Sequence, residues 1–231
     1  MRPLAAPPSM AEQVYQEILS EIATGRLPER TRLIQDDLAR DLGVSRQPVQ
    51  QALLLLRNHG FVRDARGRGL EVAPLDIAFV RDLYEIRAAN EGLACSLAAA
   101  RGAGEAARHG PELIKEGRTA ERNYSVPDLI NADVNFHTFL YRISGNRLIH
   151  EATQPYWIHL RRLMGEVLRR DETPRRIWDQ HEEILDAVIR GDSLKAEELA
   201  RLHITKTAGV FIARLEQQRT NGDEVRSSPR S

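Results

Sequence analysis

Apolar residues recur at helical spacing along most of the chain. Val14, Ile18 and Ile22 repeat every fourth residue, and "ATGRLPE" ends that run with Gly25 and Pro28. Leu38, Ala39 and Leu42 mark a second, short helix that Gly43 stops. Just beyond it, Ser45 is placed to cap a helix. Pro48 falls in its first turn, where a missing N–H does no harm, and Val49, Ala52, Leu53 and Leu56 line one face. After Gly60 the period changes. "FVRDARGRGLEVAP" reads as two short extended pieces around a glycine-bearing turn. From Leu75 the helical period returns and predicts helices near 76–101, 127–144, 146–169, 173–190 and 193–217. "GAGEAARHGPE" predicts a break over 102–112. Gly145, "DETP" and "GDS" separate the later helices. The Pro-rich start, 1–9, and the polar tail, 218–231, predict disorder. Between them the pattern gives a mixed unit over 10–74 and an all-helical unit over 75–217.

Composition narrows the class. The chain has 231 residues, 42% of them hydrophobic, enough for one large domain or two small ones with a real core. Its 33 basic and 33 acidic residues cancel, so a nucleic-acid function has to rest on local charge. The lone Cys95 suits a reducing compartment, and amid "GLACSLAAA" it reads as a small buried residue. Neither a signal peptide nor a membrane-spanning run is evident, which predicts a cytoplasmic protein.

Helix, turn, helix and hairpin is the layout of a winged helix-turn-helix. The second helix of such a unit enters the major groove with its N-terminal residues nearest the bases. Arg46, Gln47, Gln50 and Gln51 stand there, next to Ser45. Arg suits guanine and Gln suits adenine through paired hydrogen bonds. The hairpin tip offers Arg63, Arg66 and Arg68 to phosphates or a groove. Residues 44–69 hold five arginines and one acid. A helical hairpin with a solvated polar face has the same pattern. "LARDLGVSRQPVQQAL" followed by "RGRGLEV" resembles the DNA-binding domain of GntR-family transcription regulators, over roughly residues 10–74. The resemblance implies that Arg46 contacts operator DNA and that Gly69 sits in the wing. Gln50 and Gln51 depart from the family's usual Arg-Glu, and Glu29-Arg30 from its usual Pro-Gly turn.

The helical region carries a second constellation. Asp133 and His137 in "NADVNFHTFL" stand four residues apart, on one face of a helix. His181 in "WDQHEEILDAVIRGD" and His203 in "ARLHITK" lie in two further helices. A carboxylate and three imidazoles suit a first-row divalent ion. The same spacing also fits an exposed hydrogen-bonding pair and two satisfied buried histidines. The stretch from Leu75 to Leu215 resembles the FCD effector domain of FadR-like GntR regulators, a helical bundle. That resemblance implies a metal, Zn²⁺ or Ni²⁺, held by Asp133, His137, His181 and His203 at the base of a ligand pocket. "LYEIRAANEGLA" resembles the domain's first helix, with Arg87 and Glu91 matching.

Effector candidates are Arg87, Asn90, Arg161 and Arg162. Asn90 is equally consistent with a hydrogen bond to a neighbouring helix, and Arg161 and Arg162 with a solvated pair. His59, His109, His150 and His159 receive no role. The expectation is a homodimeric DNA-binding repressor, not an enzyme, controlled by a small carboxylate that completes the metal's coordination. The alternative is a metal-dependent hydrolase, with Glu182 or Glu183 beside His181 as its base.

Overall fold

The computed structural model describes residues 8–168 and 175–227. The chain divides into two compact units, one ending at Leu75 and one beginning at Asp76.

In the first unit, helix α1 (Met10–Ala23) opens with a capping box. The Ser9 hydroxyl accepts from the Glu12 N–H at 3.2 Å, and the Ser9 N–H donates to the Glu12 carboxylate at 2.7 Å. Ser9, expected in a disordered end, is therefore fixed. Residues 1–7 lie outside the described residues. Helices α2 (Gln35–Asp41) and α3 (Arg46–Asn58) follow. Val49, Ala52, Leu53 and Leu56 of α3 are buried, as are Val14, Ile18, Leu19 and Ile22 of α1, so the 3.6-residue pattern marks the core faces. The hairpin strands β2 (Val62–Asp64) and β3 (Leu70–Val72) gain a third member, β1 (Arg32–Leu33), giving the antiparallel order β1-β3-β2. At two residues, β1 is too short to carry an alternating pattern. Arg32 braces the wing tip by donating to the Arg66 and Arg68 carbonyls at 2.8 and 3.2 Å. Gly67 and Gly69 make the tip turn with φ of +100° and +96°, a region closed to most side chains.

The second unit is built on one helix, α4 (Ile77–Arg122), which runs unbroken through 102–112. The expected break is corrected, and the reason is packing. A Cβ on Gly102 would come within 2.6 Å of the Ile143 carbonyl oxygen. One on Gly110 would collide with Leu185, and one on Gly117 with the Trp178 ring. These glycines let neighbouring helices close on α4; they do not end it. Around α4 stand α5 (Val126–Ile143), α6 (Arg147–Thr153), α7 (Trp157–Leu168), α8 (Arg175–Ile189) and α9 (Ser193–Ser227). The helix expected over 146–169 is interrupted by a 3₁₀ turn at Gln154–Tyr156, where Pro155 cannot continue the α-helical ladder. The "DETP" separator lies outside the described residues. α9 extends to Ser227, so the disorder expected over 218–231 is corrected as far as that residue, and 228–231 lie outside the described residues. Each added helical residue gains a backbone bond once the helix exists, which carries α9 through this polar sequence. Phe136, Leu140, Trp178, Ile184 and Val188 anchor the core of the bundle.

Candidate nucleic-acid interface and metal centre

Two constellations emerge, one in each unit. In the first unit, Ser45 is the N-cap residue of α3, but its side chain makes no capping bond. Ser45, Arg46, Gln47, Gln50 and Gln51 are all exposed at the start of the helix, while the apolar residues behind them are buried. Arg46 is held in a two-point pair with Asp36 of α2, at 2.6 and 2.9 Å. That pair joins the two helices and orients the guanidinium. Arg66, Arg68 and Gly69 are exposed at the wing tip. Arg63 differs from them: it is paired at 2.8 Å with Glu71, its cross-strand partner, so its charge is already answered.

In the second unit, α5 presents Asp133, His137 and Tyr141 at four-residue intervals on one buried face. His181 comes from α8 and His203 from α9. The ligand nitrogens of His137, His181 and His203 lie within 4.8 Å of one another, and all three residues are buried. His181 Nε2 and His203 Nε2 are 3.2 Å apart. Asp133 Oδ1 lies 3.6 Å from His181 Nε2 and 3.8 Å from His137 Nε2. A tetrahedron built on bonds of about 2.0–2.1 Å has an edge of about 3.3–3.4 Å. The observed spacings bracket that edge, so these donors fit a first-row ion.

The surrounding bonds fix which nitrogens face inward. His137 Nδ1 lies 2.9 Å from Glu91 Oε2, so Nδ1 donates to that carboxylate and Nε2 is the nitrogen turned toward Asp133, 3.8 Å away. That Nε2 is buried with no hydrogen-bond partner among the described residues. His203 Nδ1 lies 2.8 Å from Gln180 Oε1, which likewise turns Nε2 toward His181. The carboxylate behind His137 and the amide behind His203 are the usual way a metal-binding histidine is oriented. Burial, reinforced by the neighbouring histidines and Arg87, pushes both His181 and His203 well below the ordinary imidazole range. Both are therefore neutral, the state a metal requires.

Glu91 is the hub behind this centre. It bonds His137, accepts from the Tyr141 hydroxyl, and accepts from Arg87 Nε at 3.2 Å. Burial works to raise its pKa, but His137 and Arg87 prevail and bring it to about 2. Sequence matching singles out Glu91 without giving it a role, and it passes over Tyr141. The spacing of Tyr141 four residues after His137 is the signal that could have found it.

Of the expected effector residues, Arg87 is brought to the centre. It is buried, its Nη2 lies 3.8 Å from Asp133 Oδ2, and its guanidinium sits over the Tyr84 and Trp157 rings. Arg161 is half-buried and donates to Asn131 at 2.8 Å. Burial lowers its pKa while the Asp133 charge pulls it back up. Arg162 is buried, so it is not half of a solvated pair. Asn90 is half-buried on a different strip of α4, between the exposed Ile86 and Leu93.

Comparison with known proteins agrees with both halves. Residues 10–72 match the model for bacterial regulatory proteins of the gntR family, and residues 82–206 match the FCD domain. The chain belongs to the GntR family of transcription regulators, with an FCD domain. A relative from Streptomyces ambofaciens, described as an HTH-type transcriptional regulator in an unstable DNA locus, is 29% identical over 83% of this chain and 80% of its own. The HTH-type transcriptional repressor RspR of Escherichia coli is 23% identical over 84% of this chain and 85% of its own. The solved structure of Escherichia coli McbR/YncC superimposes with a TM-score of 0.73 at 21% identity, covering 92% of this chain and all of that one, which speaks to the fold. These matches make the chain a DNA-binding regulator of transcription, and its FCD domain implies a small-molecule effector. The hydrolase alternative finds no support in them. Among the described residues, no helix is long and apolar enough to cross a membrane.

Proposed function

We propose that this GntR regulator is a cytoplasmic homodimeric repressor whose operator affinity is set by a small carboxylate bound at a metal ion. The observation that carries the reading is the convergence of three buried imidazoles and Asp133, with two imidazole nitrogens, His137 Nε2 and His181 Nδ1, buried and without a hydrogen-bond partner among the described residues. Asp133, His137, His181 and His203 would hold one divalent ion, Zn²⁺ or Ni²⁺. When bound, the ion supplies a Lewis-acidic position for a carboxylate oxygen, on a metal that accepts five or six ligands. Arg87 Nη2, buried and without a hydrogen-bond partner among the described residues, would pair with the remaining charge.

At the other end of the chain, Ser45, Arg46, Gln47, Gln50 and Gln51 would read bases, while Arg66, Arg68 and Gly69 would meet the backbone of the DNA. Helix-turn-helix dimers bind paired half-sites, which is the reason to expect two copies. Phe79, Ile86 and Leu93 are exposed along α4 at seven-residue spacing, with Asn90 and Leu97 half-buried beside them. This is the pattern of a helix that meets another helix. Asn90 is accordingly assigned to the subunit contact. The repressor sign follows the name of the relative RspR. Control requires that the effector bind two conformations with different affinity.

The test starts from DNA fragments selected from a random pool by the metal-loaded protein. A panel of small carboxylates is then titrated against the protein–DNA complex. Release from the wild type, but not from His181→Ala, is the expected result. Equal release from both would mean that the effector does not bind through the metal.

A further inference from the structure

Between Ser45 and Gln51, at the start of α3, Arg46 is the only charged side chain; Gln47, Gln50 and Gln51 are neutral. Recognition at this end of the helix therefore turns on where one guanidinium points. The Asp36 carboxylate of α2 fixes that direction. Its Oδ1 lies 2.6 Å from Arg46 Nε and its Oδ2 lies 2.9 Å from Arg46 Nη2, a side-on fork. A guanidinium has five N–H groups, and this fork uses one on Nε and one on Nη2. Two of the remaining three, one on each Nη, lie side by side at the tip and form a second, end-on fork.

That second fork suits one base. Guanine presents two acceptors, O6 and N7, on its major-groove edge. Adenine has a donor where guanine has O6, cytosine presents a donor, and thymine offers one acceptor beside a methyl group. The carboxylate also removes an alternative. An arginine free to swing can turn to a phosphate, a contact that adds affinity without reading sequence. Asp36 answers the Arg46 charge beforehand, and its own negative charge opposes the DNA backbone. Asp37 beside it is committed elsewhere, to Arg40 at 2.7 Å. Stability is a poor reason for the Asp36–Arg46 pair, because the two side chains are 56% and 73% exposed and such pairs contribute little.

Building on the reading of Arg46 as a base contact, we propose that Asp36 fixes Arg46 end-on for guanine and so sets the sequence specificity of this regulator. Asp36 is a positioning residue: it touches the arginine and acts on the base through it. It thereby trades general affinity for selectivity.

The experiment uses the full chain. Duplexes are selected from a random pool by the wild type and by Arg46→Ala, and the position whose preference Arg46→Ala loses is identified. That position should be guanine. Affinities are then measured for the best wild-type duplex, for the same duplex with adenine in place of that guanine, and for an unselected duplex of equal length. For Asp36→Asn, which keeps the size of the side chain but loses the two-oxygen acceptor and its charge, the guanine-over-adenine ratio should fall about threefold or more. Affinity for the unselected duplex should rise, most at low salt. Asp36→Ala should do the same, and either variant suffices if the other does not fold.

Asp36 also stands in the first turn of α2, where a carboxylate suits the helix dipole. If that were its whole role, the variants would bind every duplex more weakly and keep the guanine ratio, which would overturn the proposal. An unchanged ratio with unchanged affinity would overturn it too, leaving Arg46 as a base contact. A base other than guanine at the position lost with Arg46→Ala would refute the end-on geometry. If Arg46→Ala loses no preference at any position, the base-contact reading falls, and the role of Asp36 with it.

Discussion

Arg30 holds a backbone conformation that its side chain disfavours. Its φ is +66°, in the left-handed region, and its N–H donates to the Val72 carbonyl at 2.9 Å, which ties the turn to β3. The family resemblance puts a Pro-Gly turn here, and glycine takes this conformation without the Cβ clash. Arg30→Gly should therefore stabilise the protein by about 0.5–1 kcal/mol, the relieved strain less the extra freedom of an unfolded glycine. Denaturant melts check this, and a loss of stability would refute the strain. In the proposed reading Arg46 is the residue on which DNA recognition depends most. Arg46→Ala should weaken specific binding by about 1–3 kcal/mol in a gel shift, while unaltered operator affinity in a folded variant would exclude a base contact. Removing Arg66 and Arg68 should instead flatten the salt dependence of binding across all sequences; an unchanged slope would mean the wing does not touch phosphate. Single residues are legible in the sequence where chemistry and spacing coincide, as with Asp133 and His137. Trp157 carries no such signal, because only packing between helices brings its ring within 6.0 Å of that of His137.

At the scale of elements, the glycines of α4 mislead most. Gly102 and Gly110 look like helix breakers in sequence because glycine's backbone freedom is a local property, whereas the need for a missing side chain is a tertiary one. The two kinds of glycine are separable by experiment. Gly104 has open space where a Cβ would go, so Gly104→Ala should stabilise by about 0.5–1 kcal/mol through helix propensity. Gly117→Ala should destabilise by about 1–3 kcal/mol, because the added methyl drives into the Trp178 ring. Trp178 also packs edge-on to His181 with ring centres 4.7 Å apart, so Gly117→Ala should weaken metal binding too. Thermal melts of the two variants, with and without Zn²⁺, test this; equal effects at both positions would contradict it. The amphipathic faces of α1 and α3 are legible because one side of each helix is buried within its own unit. The two-residue β1 and the Pro155 interruption are not, the first for want of length and the second because the apolar pattern continues across the proline.

For the whole molecule, the division between a DNA-reading unit and an effector unit is visible as a change of period near Leu75, and the family matches agree on what the two parts are. In the proposed reading a bound metal would connect stability with sensing. An ion that binds only the folded chain stabilises it by about 4 kcal/mol at a thousandfold excess over Kd. Zn²⁺ should thus raise the melting temperature of the wild type and not that of His203→Ala; an equal rise in both would place the ion elsewhere. The central claim is that Asp133, His137, His181 and His203 form a metal site. The most direct measurement is elemental analysis of tag-free purified protein, repeated after dialysis against chelator and reloading. The account predicts one divalent first-row ion per chain in the wild type and loss of that ion in His137→Ala. A wild-type protein that carries no metal and takes up neither Zn²⁺ nor Ni²⁺ would contradict it.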